Sequence, residues 1–295
     1  MYTAAAHKSK RTMSEYVDEL QKEPEDPEEE YAKKEFGLLM YRLQKLPPRA
    51  RARLQSAFAQ KMVDTTLAVD TPKGQLSFVL LGKSSAGRAL SLLTRQPATI
   101  AWIDAFKPGS VFWDVGASVG VYSLYAALGT GTKVVAFEPA AVNYYLLAAN
   151  CEANRLYDRI DCLLVGLGRE QAVARLEVSQ FRPARSFSFR GKSGEPHEGR
   201  QAAVVLSIDQ LVDDYGLACP NYIKIDAPGA SEAIVAGAAR TLRRPDLREV
   251  HLEVRESSKG GQRIIEMFGQ CGFSPAGRDA HGGSADVTFV RSAGR

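Results

Sequence analysis

The sequence predicts an α/β protein whose main domain is a Rossmann-like, doubly wound sheet beginning near residue 110. Three observations carry this. From Val111 onward, short β-branched segments alternate with helix-patterned ones, the βαβ rhythm of a parallel sheet. A glycine-bearing stretch, D-V-G-A-S-V-G from Asp114 to Gly120, joins the first strand to its helix. An acidic residue, Glu138, closes the next strand about 20 residues further on.

With 45% hydrophobic and 24% charged residues in 295, the chain can bury one sizeable core and a smaller accessory region. Residues 1–30 are polar and include the proline-broken acidic run E-P-E-D-P-E-E-E, which buries too little apolar surface to order itself, so a flexible arm is expected. Residues 31–109 read as an N-terminal helical and β cap. Apolar residues at near-helical spacing from Tyr31 to Met62, broken at Pro47-Pro48, predict two short helices. Residues 66–81 predict two strands around a Pro-Lys-Gly turn, and Arg95 to Phe106 a helix entered through Pro97.

Residues 110–295 form the main domain. Strands are expected over 111–116, 133–139, 160–166, 221–226 and 249–254, with helices at 122–128, 141–154, 231–242 and 262–271. A closing antiparallel pair is expected at 273–276 and 286–291. Between the third and fourth strands lies a β insertion, 171–206, far longer than the few residues such a connection needs.

The strand-to-helix turn needs glycine, because the backbone bends sharply and approaches a ligand with no Cβ in the way; Gly116 and Gly120 supply it. The spacing is G-x-x-x-G rather than the G-x-G-x-x-G of a dinucleotide site, which argues against nicotinamide and flavin cofactors. Asp114 is placed to bind an ammonium or the loop amides of an amino-acid ligand. Glu138, followed by Pro139, sits where an acidic side chain accepts hydrogen bonds from two ribose hydroxyls. Val165 and Gly166, at the third strand tip, fall where the flat edge of a bound base would lie.

Asp226 emerges at the carboxyl end of the fourth strand, beside the switch point where ligands of open α/β sheets bind; it can hold a substrate, steer a cationic centre, take a proton or cap the next helix. On the fifth strand His251 and Glu253 share a face, and either can act as a general base. The insertion tip interleaves Arg182, Arg185, Arg190 and Lys192 with Phe181, Phe187 and Phe189. It is expected to gate substrate, with Arg185 and Arg190 meeting an anionic or ring-bearing acceptor.

Taken in order, R-Q-P-A-T-I-A-W-I-D-A-F, V-F-W-D-V-G-A-S-V-G-V-Y-S-L-Y-A, V-V-A-F-E-P, L-S-I-D-Q-L, Y-I-K-I-D and I-V-A-G-A resemble the FkbM family of S-adenosylmethionine-dependent methyltransferases, over about Arg88 to Val290. The resemblance implies a seven-stranded, mostly parallel class I methyltransferase fold, O-methylation of a hydroxyl on a small molecule or glycan, S-adenosyl-L-methionine as cofactor and no required metal. By motif match it places the cofactor at Asp114, Gly116, Ala117, Ser118, Gly120, Glu138 and Asp226. Three positions depart from the family: Ser118 stands for its usual Asn, Gln96 for a Glu, and Ser231 for a Glu, with Glu232 next to it. These leave a second reading open, a methyltransferase-like binding or scaffold protein that has lost catalysis.

Partners follow from what is missing as much as from what is present. With 38 basic against 34 acidic residues the surplus is too small to demand nucleic acid or an anionic membrane, while an oligomer stays open. The four cysteines form no C-x-x-C pair, and no apolar run follows the basic N-terminus, so free thiols in the cytoplasm are expected.

Overall fold

The computed structural model describes residues 27–129, 131–178, 184 and 199–292. The chain divides into two compact units, Met1–Lys61 and Met62–Arg295.

In the first unit, α1 (Pro27–Lys45) and α2 (Pro48–Val63) flank the Leu46-Pro47 break. The helix starts inside the run expected to be unstructured. Pro27 at its first turn loses no needed N–H, and Glu28 and Glu30 lie at the positive end of the helix dipole.

The second unit opens with the antiparallel hairpin β1 (Thr66–Thr71) and β2 (Gly74–Val79), then α3 (Lys83–Leu90) and α4 (Pro97–Asp104). These belong with the sheet rather than to a separate cap. Leu76, Phe78, Ile100 and Ile103 share one buried cluster with Phe112 and Val134 of the sheet. Asn150 and Asn154 accept the β2 amides of Val79 and Ser77 at 2.7 and 2.8 Å.

The sheet has seven strands: β3 (Val111–Val115), β4 (Lys133–Phe137), β5 (Ile160–Leu163), β9 (Tyr222–Ile225), β10 (Glu249–Val254), β11 (Phe273–His281) and β12 (Ser284–Arg291). Their spatial order is β11-β12-β10-β9-β3-β4-β5, with β12 antiparallel to both neighbours and the other pairings parallel. The order reverses between β3 and β9, which makes the crevice above that pair the switch point.

Alternation along each strand builds two cores. Phe112, Val134 and Tyr222 face α4, α5 (Val121–Ala127) and α6 (Ala141–Ala153). Trp113, Val135 and Ile223 face α7 (Ile208–Asp213), α8 (Ser231–Ala236) and α9 (Lys259–Gln270). Phe112 and Trp113 are both fully buried on opposite faces, each contributing about 2–3 kcal/mol of hydrophobic stabilisation.

Several elements differ from the sequence reading, among them α3 and α7, which it did not include. The third strand stops at Leu163. Gly166–Leu167 begins a separate three-stranded sheet, β6, beside β8 (Gly199–Leu206) and β7 (Ala172–Val178), so the insertion is partly its own sheet. The helix expected over 231–242 ends at Ala236: the Gly237 carbonyl is taken by the Asp209 amide at 3.0 Å, and the Asp209 carboxylate accepts the Arg240 and Thr241 amides. The short helix α7 carries a capping box, Ser207 and Gln210, each side chain bonding the other's backbone amide. Among the described residues no helix is long and apolar enough to cross a membrane.

Candidate active site at the strand switch point

The turn after β3 is fixed by the neighbouring strand tips. The Gly116 and Ala117 amides both donate to the Phe137 carbonyl, at 2.9 and 3.0 Å, and Gly120 N–H closes the turn on Ala117 O at 2.8 Å. Gly116 has φ 81° and lies against the Asp226 main chain, where any Cβ would overlap the Asp226 carbonyl oxygen. Gly120, at φ 86°, faces Leu147, whose Cδ1 would be 2.6 Å from an added Cβ. Ser118 between them has φ 54°, and its buried Oγ has no hydrogen-bond partner among the described residues. Both glycines are thus required by positive φ and by the close packing of the turn on the β9 end and on α6.

Glu138 is 5% exposed at the β4 tip. Its Oε2 accepts the Ser118 amide and its Oε1 the Ala140 amide, both at 2.8 Å. Burial pushes its carboxyl up to about 7, against the lowering pull of these amides and of Asn143. Pro139, half-buried, offers its carbonyl to Gln201 of β8 at 2.6 Å, and Gln201 accepts the Ala141 amide at 3.0 Å. Asn143 also accepts the Ala184 amide at 2.8 Å, tying the insertion to the acidic tip.

Beneath the loop runs a buried polar row that no sequence motif announced. Asp114, Lys224, His251 and Thr288 occupy facing positions on β3, β9, β10 and β12. Lys224 Nζ lies 3.8 Å from Asp114 Oδ1 and 3.5 Å from Asp226 Oδ2, with the Tyr122 ring centroid 5.0 Å away. Ser123 donates to Asp114 Oδ2 at 2.6 Å. Burial alone would drive the Lys224 ammonium down, but Asp226 and Asp114 outweigh it and hold the group above its ordinary value. Lys224 in turn holds the Asp226 carboxyl below the usual range, while burial raises that of Asp114. The lysine was legible in principle: in K-I-D it shares a strand face with Asp226.

Asp226 itself emerges at the strand end, its side chain 37% exposed. His251 is differently placed. Its Nε2 meets the Thr99 hydroxyl at 3.0 Å, its Nδ1 the Thr288 hydroxyl at 2.9 Å, and its ring stacks on Trp102 at 4.9 Å. Burial pulls its pKa down to about 4, so it is neutral and already has a hydroxyl partner on each nitrogen. Gln96 links Tyr122, whose hydroxyl donates to it at 2.6 Å, with Asp286 at 3.3 Å.

The structure therefore gathers Gly116, Ala117, Ser118, Gly120, Glu138, Pro139 and Asp226 around one crevice, with Asp114 buried below it. Val165 is half-buried beyond β5 and Gly166 is buried in β6, paired with Val205. Arg185 and Arg190 lie outside the described residues.

A seven-stranded sheet of this order, with its glycine turn and acidic strand tip at the switch point, is the class I methyltransferase fold. The chain belongs to the FkbM methyltransferase domain family, whose profile matches residues 114–275. It is 28% identical to 31-O-demethyl-FK506 methyltransferase FkbM of Streptomyces tacrolimicus over 195 residues, 57% of this chain and 74% of that protein. Among solved structures, methyltransferase FkbM from Methylobacillus flagellatus KT aligns with a TM-score of 0.43 at 17% identity. That alignment covers 72% of this chain and 56% of the other, so the chain spans little more than half its length. Fibrillarin from Aeropyrum pernix, in complex with natively bound S-adenosyl-L-methionine, aligns with a TM-score of 0.44 at 12% identity, over 77% and 84% of the two chains.

Proposed function

We propose that this protein transfers a methyl group from S-adenosyl-L-methionine to a hydroxyl oxygen of a small molecule or glycan. The observation that carries the reading is the tight packing of the Gly116 turn on the Asp226 main chain beside the buried Glu138 carboxylate, which accepts the Ser118 amide, a cradle that would hold the cofactor. The residues present fit the cofactor. Ser118 Oγ is a buried polar atom without a partner among the described residues, Gly116 and Gly120 admit no Cβ, and the two Glu138 oxygens keep acceptor capacity beyond the two amides and Asn143.

Bound there, S-adenosyl-L-methionine supplies a methyl carried on a positively charged sulfur. Glu138 would accept the ribose hydroxyls, and the Gly116–Gly120 backbone would hold the amino-acid end, with Asp114 fixing that loop from below through Ser123. Val165 would cover the base, and Gly166 would support it from within β6.

The remaining work is to hold an acceptor in line and keep water out. Asp226 is assigned to receive the acceptor hydroxyl. Lys224 keeps it ionised, which makes it a weak base. A weak base suffices, because an alcohol oxygen becomes strongly acidic only as it takes the methyl. His251, with both nitrogens occupied, is assigned to positioning, as the neutral neighbour that packs Lys224 against the carboxylates.

The test is incubation of the full chain with methyl-labelled S-adenosyl-L-methionine and fractionated neutral metabolites. The reading predicts labelled product that survives mild base, as a methyl ether does and a carboxyl ester does not. Label recovered as methanol after base would overturn the choice of oxygen. Tight cofactor binding with no transfer to any fraction would favour the scaffold reading, which Ser118, Gln96 and Ser231 keep in view.

A further inference from the structure

On the other side of Asp226 from the glycine turn, the carboxyl ends of β9 and β10 open into a cleft of about 440 Å³. Its size suits a small-molecule ligand, for which about 300–1,000 Å³ is usual. Ile225 is in register with Leu252, so the residues that follow them, Asp226 and Glu253, stand side by side on the rim. The same two side chains border a second, inner space of about 20 Å³ that reaches Gln96, Lys224 and His251. That is room for one hydroxyl or water, and its walls are polar.

The charges lining the cleft cancel locally. Asp226 is paired with Lys224, and Glu232 takes both nitrogens of Arg263 at 2.7 and 2.8 Å. Glu253, near the end of β10, and Arg255, just after it, are both exposed and add one charge of each sign to the lining. Ser231 and Ser258 add hydroxyls, Ile225 and Ile264 a small apolar floor, and no aromatic ring lines the wall among the described residues. With Lys224 and Arg263 counted behind the wall the net charge is zero, but what lines the cleft is rich in hydrogen-bond acceptors: three carboxylates and one cation, Arg255. A phosphate or carboxylate would face three carboxylates with one cation to meet it, and a flat apolar ring would find nothing to stack on.

We propose that this cleft is the acceptor site and that it takes a neutral, hydroxyl-rich molecule, with Glu253 as a specificity-determining residue that binds a hydroxyl next to the one Asp226 receives. This rests on the methyl-transfer reading for the role of Asp226, but the occupant's chemistry follows from the cleft alone. It assigns recognition to the β9–β10 rim rather than to the arginines of the insertion.

The experiment is ligand-observed saturation-transfer NMR on the full chain without cofactor, using three probes of one ring: methyl α-glucopyranoside, glucose 6-phosphate and glucosamine. The neutral glycoside should give saturation transfer, and the phosphate should give none. Glu253→Lys should weaken the glycoside roughly tenfold, and Glu253→Gln, which keeps a hydrogen-bond acceptor, should weaken it less. Because Glu253 is exposed, both variants should melt with the parent, which a thermal scan checks. Preferential binding of the phosphate or of the amine, silence of all three probes, or indifference to Glu253→Lys would each overturn the proposal. Separate titration with S-adenosylhomocysteine keeps the two readings apart: homocysteine-ligand binding without glycoside binding sinks the cleft alone, and the reverse sinks the cofactor reading alone.

Discussion

Lys224 Nζ stands 3.5 Å from Asp226 Oδ2, a lysine 3% exposed that keeps a rim carboxylate ionised from below. The same ammonium is 3.8 Å from Asp114 Oδ1, which has no hydrogen bond among the described residues. Removing the cation strands two carboxylates at once. Lys224→Met should therefore cost about 3–5 kcal/mol in urea unfolding, the range for breaking a buried pair. Adding Asp226→Asn should recover part of the loss, since one stranded charge is removed. A single-variant loss under about 1 kcal/mol would mean the row is not electrostatically coupled.

Gly116→Ala should remove cofactor binding and lower stability together. The new methyl would overlap the Asp226 carbonyl, and alanine at φ 81° adds backbone strain of about 1–3 kcal/mol. Gly109→Ala is the matched control, at φ 71° with nothing within 4 Å of the added Cβ. It should show the strain and leave S-adenosylhomocysteine affinity unchanged. Equal effects of the two on affinity would deny the cradle any steric role.

His251 predicts a pH dependence of stability. Its pKa falls from 6.5 to about 4 on folding, so the folded state is favoured above pH 6.5 and that advantage is lost as pH falls toward 4. The swing is about 3 kcal/mol. His251→Gln cannot titrate, so its melting temperature should fall less steeply than the parent's between pH 6.5 and 4. Parallel curves would show that the ring is not held neutral by burial.

These residues also mark what could be read before the fold was known. The succession of parallel strands and helices follows from the βαβ rhythm, and the glycine turn and Glu138 from spacing, because each depends on local sequence. The polar row as a unit was not legible: K-I-D puts Lys224 on the face of Asp226, but Asp114, His251 and Thr288 join it only through strand register. The role offered to His251 depended on open nitrogens, and Thr99 and Thr288 reach them from α4 and β12, far away in the chain. The hairpin of β1 and β2 was read correctly as strands. Its packing into the main unit rests on Asn150 of α6 and Asn154 at that helix's C-cap, polar residues that carry no strand signal.

The central claim, that this crevice holds S-adenosyl-L-methionine with Glu138 on the ribose, is tested most directly by calorimetric titration with S-adenosylhomocysteine. The parent should bind at a low micromolar dissociation constant, and Glu138→Ala should lose about 2–3 kcal/mol of affinity through the lost charge-assisted hydrogen bonds. Since burial pushes the Glu138 carboxyl up to about 7, the ionised form that best accepts hydroxyl donors fades as pH falls. Parent affinity should weaken from pH 8 to pH 6, and Glu138→Gln should flatten that slope. No binding by the parent, or equal affinity in parent and Glu138→Ala, would contradict the account.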